Sequence, residues 1–463
     1  MKSASKIAPV EIFALLFGLF LGLCIIKFGN PVILDHKIVS PQSLSDAWND
    51  GWPTHWTPYF IVPLLVISLL LILRNPLPGL PQWCWILPLA WFGWQLFSAR
   101  TTVASDLTEA TLWDYAGCLV CYFTGALLFN QKNTLNWLLV GILAASAYCL
   151  VRAMEQRVYE FPTNHQILVE GEQAGWTNMP PESVSEMKQE QIIITTNGVD
   201  IANPVILMKL AKGRVYGTLV YPNALAGLIL MLFPLGLTVA IQKGKRLRPA
   251  IRWLAIVVVS SLGCVSFIWT GSKLGWLLAI FLVGFYLFSL GWSIRLKAIA
   301  IALVILLGLG VFGLRFHSYF AKGATSVGAR FDYWRAAIRT TADNPVVGTG
   351  PGTFQKPYSS LKSPQAEMAR LTHNDYLEQF SDSGLPGGVV YGAWIGLSLW
   401  SIGKRTWGPT DLMLFGIFAG LLAWFLQGLG EFSLFIPATA WVAFTLLGVL
   451  IGQLRINSTP IRQ

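Results

Sequence analysis

Apolar residues in this chain come in long, nearly unbroken runs, and polar residues gather in the joints between them. Runs of about 20 apolar residues are what a helix needs to cross the hydrocarbon core of a bilayer, where each backbone polar group must be satisfied internally. Twelve such runs are expected, at 7–28, 58–73, 83–98, 113–129, 137–151, 219–241, 253–269, 274–291, 298–314, 385–402, 412–429 and 435–454. The pattern predicts an all-α polytopic membrane protein. The first run follows a basic start but is longer than a signal-peptide core and lacks a small-x-small cleavage site, so it reads as a retained helix.

Lys and Arg in the short joints set the orientation. With the start of the chain inside, the inner joints carry Arg74, Lys132, Lys243, Lys245, Arg246, Arg248, Arg252, Arg295, Lys297, Lys404, Arg405, Arg455 and Arg462, and the short outer joints carry few basic residues. Both termini are therefore expected on the cytoplasmic side. Three longer segments fall outside, 29–57, 152–218 and 315–384. The expected division is N-terminal membrane helices at 1–151, an outer loop at 152–218 between helices 5 and 6, and central membrane helices at 219–314. A large outer loop at 315–384 between helices 9 and 10 and C-terminal membrane helices at 385–463 follow.

Within the first large loop, Asn197-Gly198 lies between two β-branched runs, the strongest short-range signal for a hairpin, because a type I′ turn needs positive φ at both central residues. The second, with its flanks from Gly328 to Gly388, is the polar stretch around which the chain is organised. A helix is expected over 329–342, with Arg330, Trp334, Ala337, Ile338 and Thr341 on one face, stopping near Asn344 because Pro345 follows. Gly348, Gly350 and Gly352 permit tight turns. Thr372 is expected to cap a second helix over 373–380.

Composition agrees with the hydropathy pattern. Of 463 residues 54% are hydrophobic and 12% charged, and the mean hydropathy is +0.56, which argues against a soluble multidomain reading. All 6 cysteines lie in apolar runs, away from the long loops, which argues against a disulfide framework or a Cys metal site; Cys118-x-x-Cys121 reads as core filler. The net charge of +10 is spread over many joints and forms no single basic patch, so no nucleic-acid partner is implied.

Charges at the ends of membrane spans are functional candidates. Arg214, Lys273 and Glu431 stand at such ends, and Arg330 precedes Tyr333-Trp334. Snorkelling or interfacial anchoring accounts equally well for each basic residue taken singly. His373 is the histidine in the densest polar setting. If Arg214, Arg330 and His373 converge, they suit one reaction class. Guanidinium forks hold a diphosphate and stabilise it as it leaves, and an imidazole takes the proton from an attacking hydroxyl. No carboxylate pair or His/Cys cluster sits nearby at metal-ligand spacing, although His373, Asp375 and Glu378 leave weak metal binding formally possible. The expectation is a metal-independent transfer with no cofactor.

Arg330-x-x-Tyr333-Trp334, Asn344-Pro345-x-x-Gly348-x-Gly350-x-Gly352-x-Phe354 and His373-Asn374-x-Tyr376-Leu377-Glu378 form a set, preceded by Arg214-x-x-Gly217 with Asn223 downstream. This set resembles the O-antigen ligase superfamily of bacterial envelope glycan transferases, over roughly 214–437. The resemblance implies an inner-membrane enzyme with about twelve helices and a periplasmic catalytic loop. Its donor would be a glycan on undecaprenyl diphosphate, and its acceptor a hydroxyl on lipid A-core, another glycan or a protein, with membrane lipids around it. Carried over, Arg214 and Arg330 would bind the diphosphate and His373 would activate the acceptor. Lys273, Tyr333, Trp334, Asn374, Tyr376, Glu378 and Gly350 would contact substrate. The family often has Ser-Arg where this chain has Ser272-Lys273, which keeps the charge and loses the bidentate fork.

Ligases, chain-extending polymerases and protein O-oligosaccharyltransferases share these motifs. A membrane transporter is the alternative from another class, but transporters place ionisable groups near the midplane, whereas these sit on one outer face. A structural scaffold leaves His373 without a use.

Overall fold

The computed structural model describes residues 8–74, 79–246, 248–321, 323–407 and 411–454. The basic residues of 1–6, Arg455 and Arg462, which entered the reading of topology, lie outside the described residues. Each of the twelve expected runs coincides with a helix: α1 (Pro9–Lys27), α2 (Thr57–Leu73), α3 (Trp83–Ser98), α4 (Ser105–Leu128), α5 (Lys132–Glu155), α6 (Pro222–Lys243), α7 (Pro249–Thr270), α8 (Lys273–Ser289), α9 (Ile294–Ala321), then, after the polar α10 (Thr325–Asp343), α11 (Asp375–Thr406), α12 (Leu412–Gln427) and α13 (Pro437–Ile451). Eight helices among the described residues are long and apolar enough to cross a membrane, and α8, α12 and α13 are shorter apolar helices.

Proline opens α1, α6, α7 and α13, where its missing N–H is no loss and its fixed φ suits the first turn. In a bilayer, helices associate by close packing more than by hydrophobic exclusion, so small residues mark the contacts. Gly18 of α1 and Gly141 of α5 lie back to back: a Cβ on Gly18 would stand 2.1 Å from the Leu138 carbonyl oxygen. α13 is buried along its whole length, against α4, and forms the axis of the bundle. At the other extreme α9 leaves most of its apolar side chains exposed, as a lipid-facing helix does.

Several helices outrun their expected limits, α4 and α5 among them. α4 begins at Ser105 instead of 113, so Asp106 and Glu109 are helical. α5 continues through a π turn, Gln156–Glu160, into a further helix, Phe161–Gln173. The start of the expected loop at 152 is thus the second half of one 42-residue helix. Beyond it, the hairpin forms as expected: β1 (Ile193–Thr196) pairs antiparallel with β2 (Val199–Ala202), and Asn197 and Gly198 have φ of 52° and 76°. It closes over a small core of Leu168, Trp176, Ile193 and Ala202.

The 315–384 segment departs from expectation in two places. α10 ends at Asn344 as Pro345 requires, but the face it buries is Tyr333, Ala336, Ala337 and Thr340, while Ile338 is exposed. The second correction concerns His373. It lies on no helix: Asn374, not Thr372, caps α11, its Oδ1 accepting from the Tyr376 and Leu377 N–H groups at 3.1 and 3.0 Å. An Asn side chain reaches the N2 and N3 amides better than Thr372 does from two residues further back. α11 then runs from Asp375 to Thr406 with a break at Gly384 (φ 67°, ψ −174°), a conformation open in practice to glycine alone.

The break at Gly384 is where the glycine turn docks. The Gly350 N–H donates to the Asp382 carbonyl at 2.8 Å and the Gly352 N–H to the Asp382 carboxylate at 2.7 Å. On its other side the turn meets α4, with the Thr108 hydroxyl donating to the Pro351 carbonyl at 3.0 Å.

Candidate functional site

Arg214 is held by its backbone before its side chain does anything. The short helix Pro204–Lys212 ends on Gly213 in the left-handed region (φ 57°), and Arg157 donates to the Gly213 carbonyl at 3.3 Å. Gln156, buried in the π turn, clamps the next residues. Its Oε1 accepts from the Tyr216 and Gly217 N–H groups at 3.1 and 2.8 Å, and its Nε2 donates to the Gly217 carbonyl at 3.0 Å. The guanidinium then donates from Nε to the Thr270 carbonyl at 2.7 Å and from Nη2 to Asn223 Oδ1 at 2.8 Å. Burial pushes its pKa down, and the nearby Tyr221 and Glu431 oppose that push; a guanidinium so placed stays charged.

Asn223 opens α6 and passes the contact on. Its Nδ2 donates to the Tyr221 hydroxyl at 2.9 Å and to Glu431 Oε1 at 2.7 Å. Glu431 stands in the turn between α12 and α13 with its side chain 4% exposed. The same Oε1 receives Nη2 of Arg330, from the first turns of α10, and Oε2 lies 3.4 Å from Nδ1 of His373. Arg214, Arg330 and His373, from three separate stretches of the chain, are thus gathered around one buried carboxylate. A carboxylate with no proton can only accept, so the contact with Glu431 is made when Nδ1 carries the hydrogen. In the neutral ring this leaves Nε2 as the basic nitrogen, and among the described residues Nε2 has no hydrogen-bond partner.

The ring is held from three sides. Phe432 meets it edge-on at 4.8 Å, Tyr333 stacks at 5.9 Å and Tyr221 lies at 6.2 Å. His373 has a φ of 52°, which turns it off the start of α11 towards Glu431. Thr372 anchors that turn through its N–H and hydroxyl, both donating to Glu378 Oε2 at 2.8 Å.

The other sequence candidates divide. Tyr333 faces the imidazole and donates its hydroxyl to Glu367 at 2.6 Å; burial pushes the phenol pKa up, so it remains a donor. Lys273 opens α8 with its ammonium 3.8 Å from the centre of the Tyr319 ring, within electrostatic reach of Arg214 and Arg330. The turn before it is packed on Arg214, since a Cβ on Gly271 would lie 3.3 Å from Arg214 Nε. Trp334 is half-buried against Phe331. Asn374, Tyr376, Glu378 and Gly350 support the site from behind. Asn374 is the α11 cap and also donates to the Leu429 carbonyl at 3.0 Å. Tyr376 donates to the Phe425 carbonyl at 3.1 Å. Glu378 is fully buried beneath Thr372, and Gly350 lies under Thr102. Among the described residues no group of three or more His, Cys, Asp or Glu side chains is arranged to hold a metal ion.

In the sequence Glu431 stands out only as a charge at a span end, and nothing marks Tyr221, Phe432 or Gln156 as part of a site. A carboxylate at a membrane edge directly after Gly428-Leu429-Gly430 was the available signal for Glu431. For Gln156 nothing local distinguishes it from a solvated loop residue.

Two guanidinium groups and an ammonium around one carboxylate leave a surplus of positive charge and unused donors. Among the described residues Nη1 of Arg214 and Nη1 and Nε of Arg330 make no hydrogen bond. Donors and charge of this kind can attract an anion, and an imidazole beside them can carry a proton. Fold and cluster together define a polytopic helical membrane protein with a cationic, imidazole-bearing site at one end of its bundle. Residues 258–392 match the family model described as O-antigen ligase, a stretch that contains Lys273, Arg330, Gly350 and His373. The match covers less than a third of the chain, and over that stretch the protein is similar to O-antigen ligases. No curated protein matches the chain.

Proposed function

We propose that this protein transfers a glycan from undecaprenyl diphosphate to an acceptor hydroxyl at the periplasmic face of the inner membrane, as an O-antigen ligase does. The observation that carries the reading is the convergence of Arg330 and His373 on Glu431, with Arg214 joined to the same carboxylate through Asn223. The acceptor hydroxyl gives its proton to His373 Nε2 while its oxygen bonds to the anomeric carbon. The bond from that carbon to the diphosphate oxygen breaks, and the diphosphate leaves with the electron pair. The unused donors of Arg214 and Arg330, with the Lys273 ammonium, meet the charge that grows on the leaving group, which is where preorganised donors lower a barrier most. Glu431 keeps the imidazole in the productive tautomer and balances the imidazolium once it forms.

Sidedness follows from alternation along the bundle. The cluster lies where α6, α8, α11 and α13 begin and where α9 and α12 end, which is one face of the membrane if all twelve runs cross it. The excess of Lys and Arg in the opposite joints supports reading that face as periplasmic and both termini as cytoplasmic. Chain-extending polymerisation uses the same geometry and differs in the acceptor alone.

The test is transfer by the purified protein in proteoliposomes, with a polyprenyl-diphosphate glycan and a panel of lipid A-core, glycan and protein acceptors. Glycosylated acceptor should form together with an equal amount of free polyprenyl diphosphate. Movement of glycan across the bilayer without a new glycosidic bond would overturn the reading in favour of transport.

A further inference from the structure

A cavity of about 380 Å³ opens between the first outer joint and the first turns of α4, at the same end of the bundle as the cluster. Among the residues around it are Asp35, His36 and His55 from the first outer joint and Asp106, Glu109 and Trp113 from the first turns of α4. We propose that it is a subsite for a sugar ring of the acceptor glycan, one that is uncharged or carries an amino group. The proposal rests on the transfer reading above.

The lining has the two chemistries that a sugar ring presents. Asp106, Glu109 and Trp113 follow one another at spacings of three and four, so α4 shows them on a single face. Trp113 is 37% exposed and offers an apolar plane to the C–H face of a ring. Asp106 and Glu109 are exposed and, among the described residues, make no hydrogen bond, so their oxygens are open to hydroxyl donors. Asp35, by contrast, is already engaged. It accepts from the Thr54 hydroxyl at 2.8 Å and from His55 Nδ1 at 2.7 Å, which fixes the rim. The volume lies within the range of about 300–1,000 Å³ usual for small-molecule sites.

Position and charge name the substrate. His36 Nε2 lies 3.4 Å from Nη1 of Arg370, three residues before His373, so one residue of the cavity wall touches the short segment that carries the proton acceptor. α4 also pins the glycine turn through Thr108 and Pro351, which ties the cavity rigidly to the loop. The carboxylates repel the diphosphate that Arg214, Arg330 and Lys273 attract. The donor's leaving group belongs on the cationic side, and the acceptor, which must approach from the His373 side, belongs here. A phosphorylated or otherwise anionic sugar is disfavoured at this position.

The test uses the full-length protein in proteoliposomes, with lipid-linked glycan extracted from the source membranes as donor and envelope glycan from the same cells as acceptor. Asp106→Asn/Glu109→Gln and, separately, Trp113→Ala should each raise the acceptor concentration at half-maximal rate at least fivefold. The maximal rate should stay within about twofold and half-saturation by donor should not move, and Trp113→Phe should restore most of the loss. Both variants must elute and melt as the wild type does; the carboxylate pair is exposed and isosterically replaced, so it carries the test if Trp113→Ala misfolds. Unchanged half-saturation by acceptor, or a shift in that for donor, would overturn the subsite. Absence of transfer by the wild type would instead overturn the parent reading.

Discussion

Oε2 of Glu431 lies 3.4 Å from Nδ1 of His373, so the imidazole is oriented by a buried carboxylate from 58 residues further along the chain. Glu431→Gln removes the charge that holds the ring and leaves Arg330 without its counter-ion. Transfer should fall roughly 10²–10⁴-fold, as when a triad carboxylate becomes an amide. Stability should fall by about 2–4 kcal/mol, because a buried pair has lost one member. Transfer in proteoliposomes and the melting midpoint in detergent check the two separately; transfer within threefold of wild type would show that Glu431 does not serve His373.

Arg330→Lys keeps the charge near Glu431 but gives up the planar fork and two of its donors. Donor half-saturation and maximal rate should both worsen, with k cat/KM for the donor down at least tenfold, and the melting midpoint should change little. Equal donor dependence in wild type and variant would mean that a point charge suffices at this position.

Gln156 touches no substrate in the proposed reaction, yet it makes three hydrogen bonds to the backbone just after Arg214. Gln156→Ala strands buried N–H and C=O groups of Tyr216 and Gly217, at a cost of about 1–3 kcal/mol. Donor binding should weaken severalfold while acceptor half-saturation stays put. Titration of each substrate in turn distinguishes this from general unfolding.

Gly384→Ala tests the joint between the glycine turn and α11. A Cβ there would sit 2.3 Å from the Val346 carbonyl oxygen, on a backbone with φ 67°. Strain of about 1–3 kcal/mol adds to that clash, and the variant should fail to yield monodisperse protein. Gly392→Ala is the control: it lies in the same helix with nothing within 4 Å of the added carbon, and it should be neutral or stabilising by about 0.5–1 kcal/mol. Comparable yields of the two variants would show that the break at Gly384 is dispensable.

How much of this was legible beforehand follows from the range of each interaction. Hydropathy is local, so all twelve runs emerge as helices, and Asn197-Gly198 specifies its own hairpin. Pro345 likewise ends α10 through its own ring. The start of α11 misleads because Thr372 and Asn374 are both good caps, and what separates them is Glu378, which takes the Thr372 hydroxyl and N–H for another purpose. The candidate trio Arg214, Arg330 and His373 was readable as residue types. Their meeting point, Glu431, was not, since no local pattern tells which of several lone charges the bundle brings between α6, α10 and α11. Glu378 and Gly350 show the converse: motif positions next to the chemistry in sequence that the fold turns inward to hold it.

Whether His373 takes the acceptor's proton is decided by His373→Asn in a single-turnover transfer assay with donor pre-bound. Asn tolerates the left-handed backbone that position requires and cannot act as a base at neutral pH. Donor binding should remain within about threefold of wild type, while the rate of glycosidic bond formation drops roughly 10²–10⁴-fold. Transfer by His373→Asn at the wild-type rate would contradict the account.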